Sequence, residues 1–304
     1  MSEFTSKIAN DVTLGENVEV GRFSIIDEGC EIGDDVIIKD FVRLAKNTKI
    51  GDRTSIDSYV RSSGDNSIGN DVTIRYGATI AHKVTVEDWV FISPNVMTVY
   101  TLPNRDVKGG IRIGEKSFIS TGTVIGAGVE IGCKCLVGAQ SFLSHCVIGD
   151  EVTLRDNVSI GSRGLNVVKD KDEISFREGS KQVHIKDRVD ISTGSVIHKG
   201  YDRNTEVGYG TVIGTLCNIG HDTIVGERCI IGTKVHVCGR TNIGNDVRIN
   251  PNSCIINRVT LGDFCTIGIG SLVMKDVPAW KTYVGRPAIN IETLRHKKGK
   301  ENER

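Results

Sequence analysis

The sequence predicts an all-β fold, a three-sided parallel β-helix built from six-residue repeats. From Val207 to Val273 an aliphatic residue occupies every sixth position, twelve times without a miss, and eight of the twelve are followed by Gly. A period of six fits neither a helix nor simple strand alternation. It fits a chain that runs straight, turns at Gly and closes a triangle every three repeats, so that residue n lies beside residue n+18.

The same period covers most of the chain. We call the recurring aliphatic residue the corner residue; 38 of them predict about 12–13 coils. Their runs are Ile8–Ile56, Ile68–Ile92, Ile113–Leu143, Ile148–Ile160, Ile185–Ile197 and Val207–Val273. We interpret Ser62 to Asn66 as a short insertion, and a four-residue insertion precedes Val207. The larger breaks are expected to be ejected loops, where function tends to lie.

These breaks divide the chain into predicted regions. Residues 1–161 form an N-terminal β-helix half that carries a loop at 97–110. Residues 162–184 form a charged loop, and residues 185–273 form a C-terminal β-helix half. Residues 274–304 are expected to be a short C-terminal cap and a polar tail.

Composition argues against several partners. Lys and Arg together number 38, as do Asp and Glu, so nucleic acid and anionic membranes are not expected as partners. No apolar run reaches about 18 residues and the start MSEFTSK has no apolar signal region, which predicts a cytoplasmic protein without membrane insertion.

The nine Cys residues are expected to be mostly structural. Five of them occupy the small inward position two residues before a corner residue: Cys30, Cys135, Cys217, Cys229 and Cys265. Such thiols act as small hydrophobic groups. No CxxC pair exists, and the CxC of Cys133 and Cys135 is weak evidence for zinc, so no metal site is predicted.

The repeat resembles that of the hexapeptide-repeat acyltransferases, which implies that the β-helix is left-handed. Within it, Ser159 to Gly239 is similar to the UDP-3-O-(3-hydroxyacyl)glucosamine N-acyltransferases and to amino-sugar N-acetyltransferases of bacillosamine synthesis. VFISPNVMTV at Val90–Val99 resembles N-acetyltransferases of nucleotide-linked amino sugars, and the end, with KDVP and GRPA, has a form common in the wider group. The sequence departs from the lipid A enzymes by having hexads in place of their amino-terminal domain and Arg258 in place of a second His, so a related N-acyltransferase is expected.

His221 and Gly239 are the predicted catalytic pair. They lie 18 residues apart, each two residues past a corner residue, so the fold should stack them in adjacent coils. Neutral imidazole can take a proton from an amine that attacks a thioester. A backbone N–H can stabilise the resulting oxyanion, and Gly allows a close approach to it. The resemblance implies these roles for His221 and Gly239.

Other candidates surround two His residues. Asp222 is expected to orient the His221 ring or bind the amine. His198, predicted one coil below His221, is a candidate substrate contact, with a plain surface role as the alternative. His82 has the phase of His221, and with Tyr100 and Asn104 of the 97–110 loop it is a candidate second acceptor site or a remnant of one.

The resemblance implies acyl-CoA or acyl carrier protein as co-substrate, with no permanently bound cofactor, a nucleotide-linked amino sugar as acceptor, and a homotrimer. Gly239, Gly285 and Arg286 are candidate contacts of the donor. Two further enzyme classes are alternatives on the same fold: an O-acyltransferase acting on a sugar and a γ-type carbonic anhydrase. The seven His residues lack the close pair that the second needs. A non-catalytic scaffold is the third alternative.

Overall fold

The computed structural model describes residues 5–99 and 110–285. Within these ranges all regular structure is β: three long parallel sheets of 14, 13 and 14 strands and one separate two-stranded hairpin. Each sheet takes every third strand along the chain, so the chain visits the three sheets in turn. This is the architecture predicted from the sequence, an all-β left-handed parallel β-helix.

The strands are short, most of them two residues long. The first sheet contains Lys7–Ile8, Ile25–Ile26, Arg43–Leu44, Arg61–Ser62, Thr79–Ile80, Met97–Thr98, Val124–Ile125, Phe142–Leu143, Ser159–Ser162, Val196–His198, Asn218–Ile219, His236–Val237, Cys254–Ile255 and Leu272–Val273. The second contains Thr13–Leu14, Glu31–Ile32, Lys49–Ile50, Ser67–Ile68, Val84–Val86, Ile111–Ile113, Glu130–Ile131, Cys146–Ile148, Val183–Ile185, Thr205–Val207, Ile224–Val225, Asn242–Ile243 and Thr260–Leu261. The third contains Glu19–Val20, Ile37–Ile38, Ser55–Ile56, Thr73–Ile74, Phe91–Ile92, Phe118–Ile119, Leu136–Val137, Thr153–Leu154, Asp190–Ile191, Val212–Ile213, Ile230–Ile231, Arg248–Ile249, Thr266–Ile267 and Thr282–Tyr283.

The corner residues form the core. They point inward, and almost all are fully buried: Ile131, Ile219 and Val237 are each 0% exposed. The first coil is the exception, because Ile8 is 37% exposed and Leu14 is 42% exposed at the open end of the stack. A single coil therefore cannot shield its own aliphatic side chains, and the stack as a whole supplies the core.

Each turn depends on the coil next to it. The third residue after a corner residue adopts a left-handed backbone, as Asp35 does with φ of 57° and Phe41 with φ of 60°. Their N–H groups donate to carbonyls of the preceding coil, Asp35 to Glu16 at 2.8 Å and Phe41 to Arg22 at 2.9 Å. These bonds offset the cost of a conformation that side chains other than Gly rarely adopt.

Close approach between coils explains the Gly that follows so many corner residues. In the second coil, a Cβ on Gly33 would lie 2.3 Å from Asp52 Oδ1, the carboxylate oxygen that accepts a hydrogen bond from Asp34 N at 2.9 Å. The same arrangement recurs where Asp34 Oδ1 accepts from Glu16 N at 2.7 Å. The Gly-Asp pairs of the sequence are therefore inter-coil contacts, which the six-residue period alone did not indicate.

The number of coils is higher than the 12–13 predicted, because the three sheets hold 14, 13 and 14 strands. Three strands have a residue at the corner position that an aliphatic pattern passes over: Ser62, Thr98 and Tyr283. Ser62 and Thr98 are 6% and 3% exposed and point into the core. The interpretation of Ser62 to Asn66 as an insertion was thus wrong, since Ser62 keeps the period and its hydroxyl is satisfied by Thr48 Oγ1 at 2.9 Å.

The segment predicted as a charged loop contains a β-hairpin. Val167–Asp170 and Glu173–Phe176 pair antiparallel with each other and with no other strand of the described chain. All eight residues of these strands are exposed. The hairpin therefore projects from the β-helix instead of adding to a sheet.

The five inward Cys residues are buried, as predicted. Their thiols also occupy the place of hydroxyls: Cys217 Sγ lies 2.9 Å from Gly232 O, and Cys229 Sγ lies 3.1 Å from Gly244 O. Thr211 makes the equivalent contact to Gly226 O at 2.8 Å. Burial raises the pKa of Cys135 to about 11, which keeps this thiol protonated and unreactive.

No helix capable of crossing a bilayer occurs in the part of the chain that the structure describes.

Candidate active site

The predicted register at His221 is confirmed. Ile197, Ile219 and Val237 pair in successive strands of the first sheet, which places each of them one coil above the last. His221 and Gly239 follow these strands at the edge between the first and second sheets. His221 is 9% exposed, so it is a buried side chain and not a solvated surface His.

Asp222 is a buried carboxylate held by the backbone. Its Oδ1 accepts hydrogen bonds from the N–H groups of Tyr201, Asp202 and Arg203 at 2.8, 2.8 and 3.0 Å. Burial raises the pKa of Asp222, but these N–H groups and His221 together lower it more, so the pKa lies below the ordinary value. Asp222 is therefore ionised at neutral pH although it is only 1% exposed.

The carboxylate fixes the tautomer of His221. His221 Nδ1 lies 2.7 Å from Asp222 Oδ2. Because an ionised carboxylate only accepts hydrogen bonds, neutral His221 carries its proton on Nδ1 and leaves the lone pair on Nε2. Nε2 has no hydrogen-bond partner among the described residues. Of the two roles predicted for Asp222, this contact favours orientation of the ring.

Gly239 lies directly against the free nitrogen. A Cβ on Gly239 would stand 2.7 Å from His221 Nε2, closer than real side-chain atoms approach. The His221 ring therefore occupies the place that a side chain at position 239 would take, and Gly lets the backbone lie close to Nε2. The Gly239 N–H donates to no acceptor in the described ranges, although its carbonyl accepts from Arg258 N at 3.2 Å. A proton acceptor and an unused backbone donor thus lie next to each other.

A second set of contacts around the pair was missed by the sequence analysis. Asp202 forms ion pairs with Arg177 of the hairpin segment and with Arg240, both at 2.6 Å. Tyr201 packs edge-on against the His221 ring with the ring centroids 4.8 Å apart. Both residues belong to the four-residue insertion before Val207, which lies outside the period and so gave no positional signal.

His198 lies beside His221, as predicted, and is neutral. Its Nδ1 is 3.3 Å from Ser162 Oγ and its Nε2 is 3.1 Å from Asn218 Nδ2. Burial is the main cause that lowers its pKa, and the nearby His221 and His236 lower it further. Since the Asn218 amide donates to Nε2, the His198 proton lies on Nδ1, and the ring is held in a neutral network.

His82 differs from His221 in its surroundings. Its Nδ1 lies 3.1 Å from Gly64 O and its Nε2 lies 3.2 Å from Asp65 Oδ2. Both ring nitrogens face acceptors, so the ring is not arranged to offer a lone pair. Tyr100 and Asn104, its predicted partners, lie outside the described residues, as does Arg286.

Gly285 is placed in the last coil, where its N–H donates to Ser271 Oγ at 2.7 Å. No contact joins it to the His221 region in residues 5–99 and 110–285. Across the same ranges no three His, Cys, Asp or Glu side chains lie together as a metal ion would need.

Comparison with known proteins agrees with the fold. Residues 11–46 match the family model of bacterial transferase hexapeptide (six repeats). A solved structure of the Francisella novicida UDP-N-acetylglucosamine acyltransferase superposes with a TM-score of 0.52 and 21% identity, covering 74% of this chain and 73% of that one. These findings confirm the predicted resemblance to hexapeptide-repeat proteins.

Two curated relatives match longer parts of the sequence. UDP-3-O-acylglucosamine N-acyltransferase 2 of Rhodopseudomonas palustris is 31% identical over 146 residues, 48% of this chain and 39% of the relative. The bifunctional protein GlmU of Rubrobacter xylanophilus is 28% identical over 201 residues, 63% of this chain and 41% of the relative. The chain thus spans about two fifths of the length of the curated relatives it matches.

Proposed function

We propose that this protein is an acyltransferase that moves an acyl group from a thioester to the amine of a nucleotide-linked amino sugar. The observation that carries the proposal is the hydrogen bond between His221 Nδ1 and Asp222, which leaves His221 Nε2 free next to Gly239. One of the curated relatives carries the name of an N-acyltransferase of an acylated UDP-glucosamine, which has the same acceptor class.

His221 is the general base of the proposed reaction. Its Nε2 takes a proton from the amine as the nitrogen attacks the thioester carbonyl carbon. The C–N bond forms and the carbonyl oxygen gains negative charge. When the C–S bond breaks, the imidazolium returns the proton to the leaving thiolate, so the products are an amide and a thiol. The Asp222 carboxylate stabilises the imidazolium between these two steps.

Gly239 provides the electrostatic stabilisation of the oxyanion. Its N–H is the donor for the oxyanion, and the absence of a side chain lets this N–H lie close to His221 Nε2. A preorganised hydrogen-bond donor in a site of low dielectric lowers the activation barrier by about 2.7–4 kcal/mol in known oxyanion holes.

The donor is acyl-CoA or an acyl carrier protein, and the assembly is a homotrimer, as in the sequence-based expectation. Sedimentation of the purified protein tests the trimer. Release of free thiol from both donor types, followed with a thiol-reactive dye, tests the donor class.

The acceptor is tested with a matched pair of sugars. A UDP- or dTDP-linked amino sugar with a free amine should give thiol release and one equivalent of amide. The same sugar with its amine already acetylated should give none. Transfer to the acetylated sugar would point instead to an O-acyltransferase, and silence with every acceptor and donor would favour a non-catalytic scaffold.

A further inference from the structure

Tyr201 joins three parts of the site. Its N–H donates to Asp222 Oδ1 at 2.8 Å, and its ring meets the His221 ring at 90°. Its hydroxyl donates to Gly164 O at 2.7 Å. Gly164 precedes the hairpin strands and Gly179 follows them, and we call these two flanking stretches the hairpin root. The side chain is 5% exposed, so these contacts are made away from bulk water.

The root of the hairpin covers one side of the imidazole. A Cβ on Gly164 would lie 3.3 Å from His221 Cδ2 and 3.5 Å from His198 Cβ, so the Gly164 backbone already lies close over both rings. The stretch that follows the hairpin also lies close to the site. Gly179 O accepts a hydrogen bond from Lys199 Nζ at 2.8 Å, and a Cβ on Gly179 would lie 2.7 Å from the Tyr201 ring.

The hairpin itself has few other supports. All residues of its two strands are exposed, and the strands pair only with each other within the described chain. An isolated two-stranded hairpin is marginally stable in water. Its position therefore depends on the root contacts: the Tyr201 hydroxyl, the Lys199 ammonium, the ion pair between Arg177 and Asp202, and the Arg163 guanidinium 3.9 Å from the Phe176 ring centroid.

We propose that Tyr201 is a positioning residue with two separable functions: its ring holds the His221 imidazole, and its hydroxyl fastens the hairpin root over the site as a strap. The inference rests on the proposed function, since it assigns a role in placing the base. The ring contact acts on the chemical step. The hydroxyl bond acts on the cover of the site and hence on substrate binding.

The two functions predict different kinetic changes. Tyr201→Phe keeps the ring and removes only the hydroxyl, so KM should rise roughly 3- to 10-fold while kcat stays within about twofold, as expected for loss of one hydrogen bond. Tyr201→Ala also removes the ring, so kcat should fall by a further factor of about ten, in line with loss of a ring–ring contact and its packing. If kcat is lost in Tyr201→Ala and kept in Tyr201→Phe, the ring itself positions His221.

A second readout is independent of activity. Amide hydrogen exchange should become faster across the hairpin, residues 167–176, in Tyr201→Phe, with unchanged exchange in the sheets. Tyr209→Phe is the matched control, because Tyr209 is 38% exposed and its hydroxyl contacts Arg188 Nη1 at 3.0 Å away from the hairpin. That variant should match the wild type in exchange and kinetics.

Failure of the strap and failure of the proposed function give different results. Hairpin exchange that is the same in Tyr201→Phe and wild type overturns the strap, whatever the activity. Equal kinetic changes in Tyr201→Phe and Tyr209→Phe overturn it as well. A wild-type protein that transfers no acyl group refutes the proposed function, while the exchange measurement still reports whether Tyr201 fastens the hairpin.

Discussion

Asp222→Asn tests the proposed base through the residue that orients it. Asn has the shape of Asp, and its carbonyl oxygen can keep the three N–H bonds from Tyr201, Asp202 and Arg203. The amide NH2 then takes the place of Oδ2, 2.7 Å from His221 Nδ1. Because an NH2 group only donates, Nδ1 must accept, and the His221 proton moves to Nε2.

The expected loss of kcat in Asp222→Asn follows from the hydrogen bond between His221 and the Asp222 carboxylate that is replaced. A hydrogen bond to a charged group is worth about 1.5–3 kcal/mol, which corresponds to about 10- to 150-fold in rate. In the variant the proton on His221 Nε2 also removes the lone pair that accepts the amine proton, so kcat should fall by about 100-fold or more. Initial rates of thiol release at saturating donor and acceptor measure this, and KM should change little because the space beside Gly239 is unaltered.

Asp246→Asn is the matched control. Asp246 is also paired, with Arg228 at 2.8 Å, but the pair lies on another edge of the β-helix. This variant should retain wild-type kcat. If Asp222→Asn is folded and its kcat stays within about threefold of wild type, the assignment of His221 as a base oriented by Asp222 is wrong.

Further changes test the base, the oxyanion donor and the core. His221→Ala should lower kcat by about 10² or more in the thiol-release assay, and a variant with near-normal turnover would reject the base. Gly239→Ala should lower turnover at least about tenfold because its Cβ would lie 2.7 Å from Nε2, whereas Gly122→Asn, at a left-handed turn where a Cβ would make only an ordinary 3.5 Å contact with Gln140 Cγ, should be neutral in the same assay. Ile131→Ala should reduce the free energy of unfolding by about 2–5 kcal/mol in denaturant titrations, and a loss below about 1 kcal/mol would contradict the stacked core. The lowered pKa of Asp222 stabilises the fold above the ordinary carboxyl pKa of about 4, and this contribution is lost as the pH falls below it, so thermal melts of Asp222→Asn between pH 5 and 3 should show a shallower acid loss than those of the wild type.

The sequence predicted those features that follow from strict periodicity. A period of six and a coil of 18 residues place His221 beside Gly239 without any knowledge of side-chain contacts, and the structure has that register. The inward position of Cys217 followed in the same way. Such predictions succeed because each coil repeats the backbone of its neighbour, so position along the chain determines position in space.

Features that break the period could not be predicted in this way. Ser62 and Thr98 occupy corner positions because local hydrogen bonds satisfy their hydroxyls, which a search for aliphatic residues passes over. Tyr201 lies in an insertion whose path is determined by the Asp222 carboxylate and not by the repeat. The hairpin of Val167–Asp170 and Glu173–Phe176 was hidden because its strands lie outside the six-residue period and bury no face.

The most direct test of the account measures acyl transfer to a nucleotide-linked amino sugar by wild type and by His221→Ala under identical conditions. Thiol release and amide formation should be equal in the wild type, and both should fall about 100-fold or more when the imidazole is removed. Equal rates in the two proteins, or a folded wild type that acylates no amino sugar from acyl-CoA or acyl carrier protein, would contradict it.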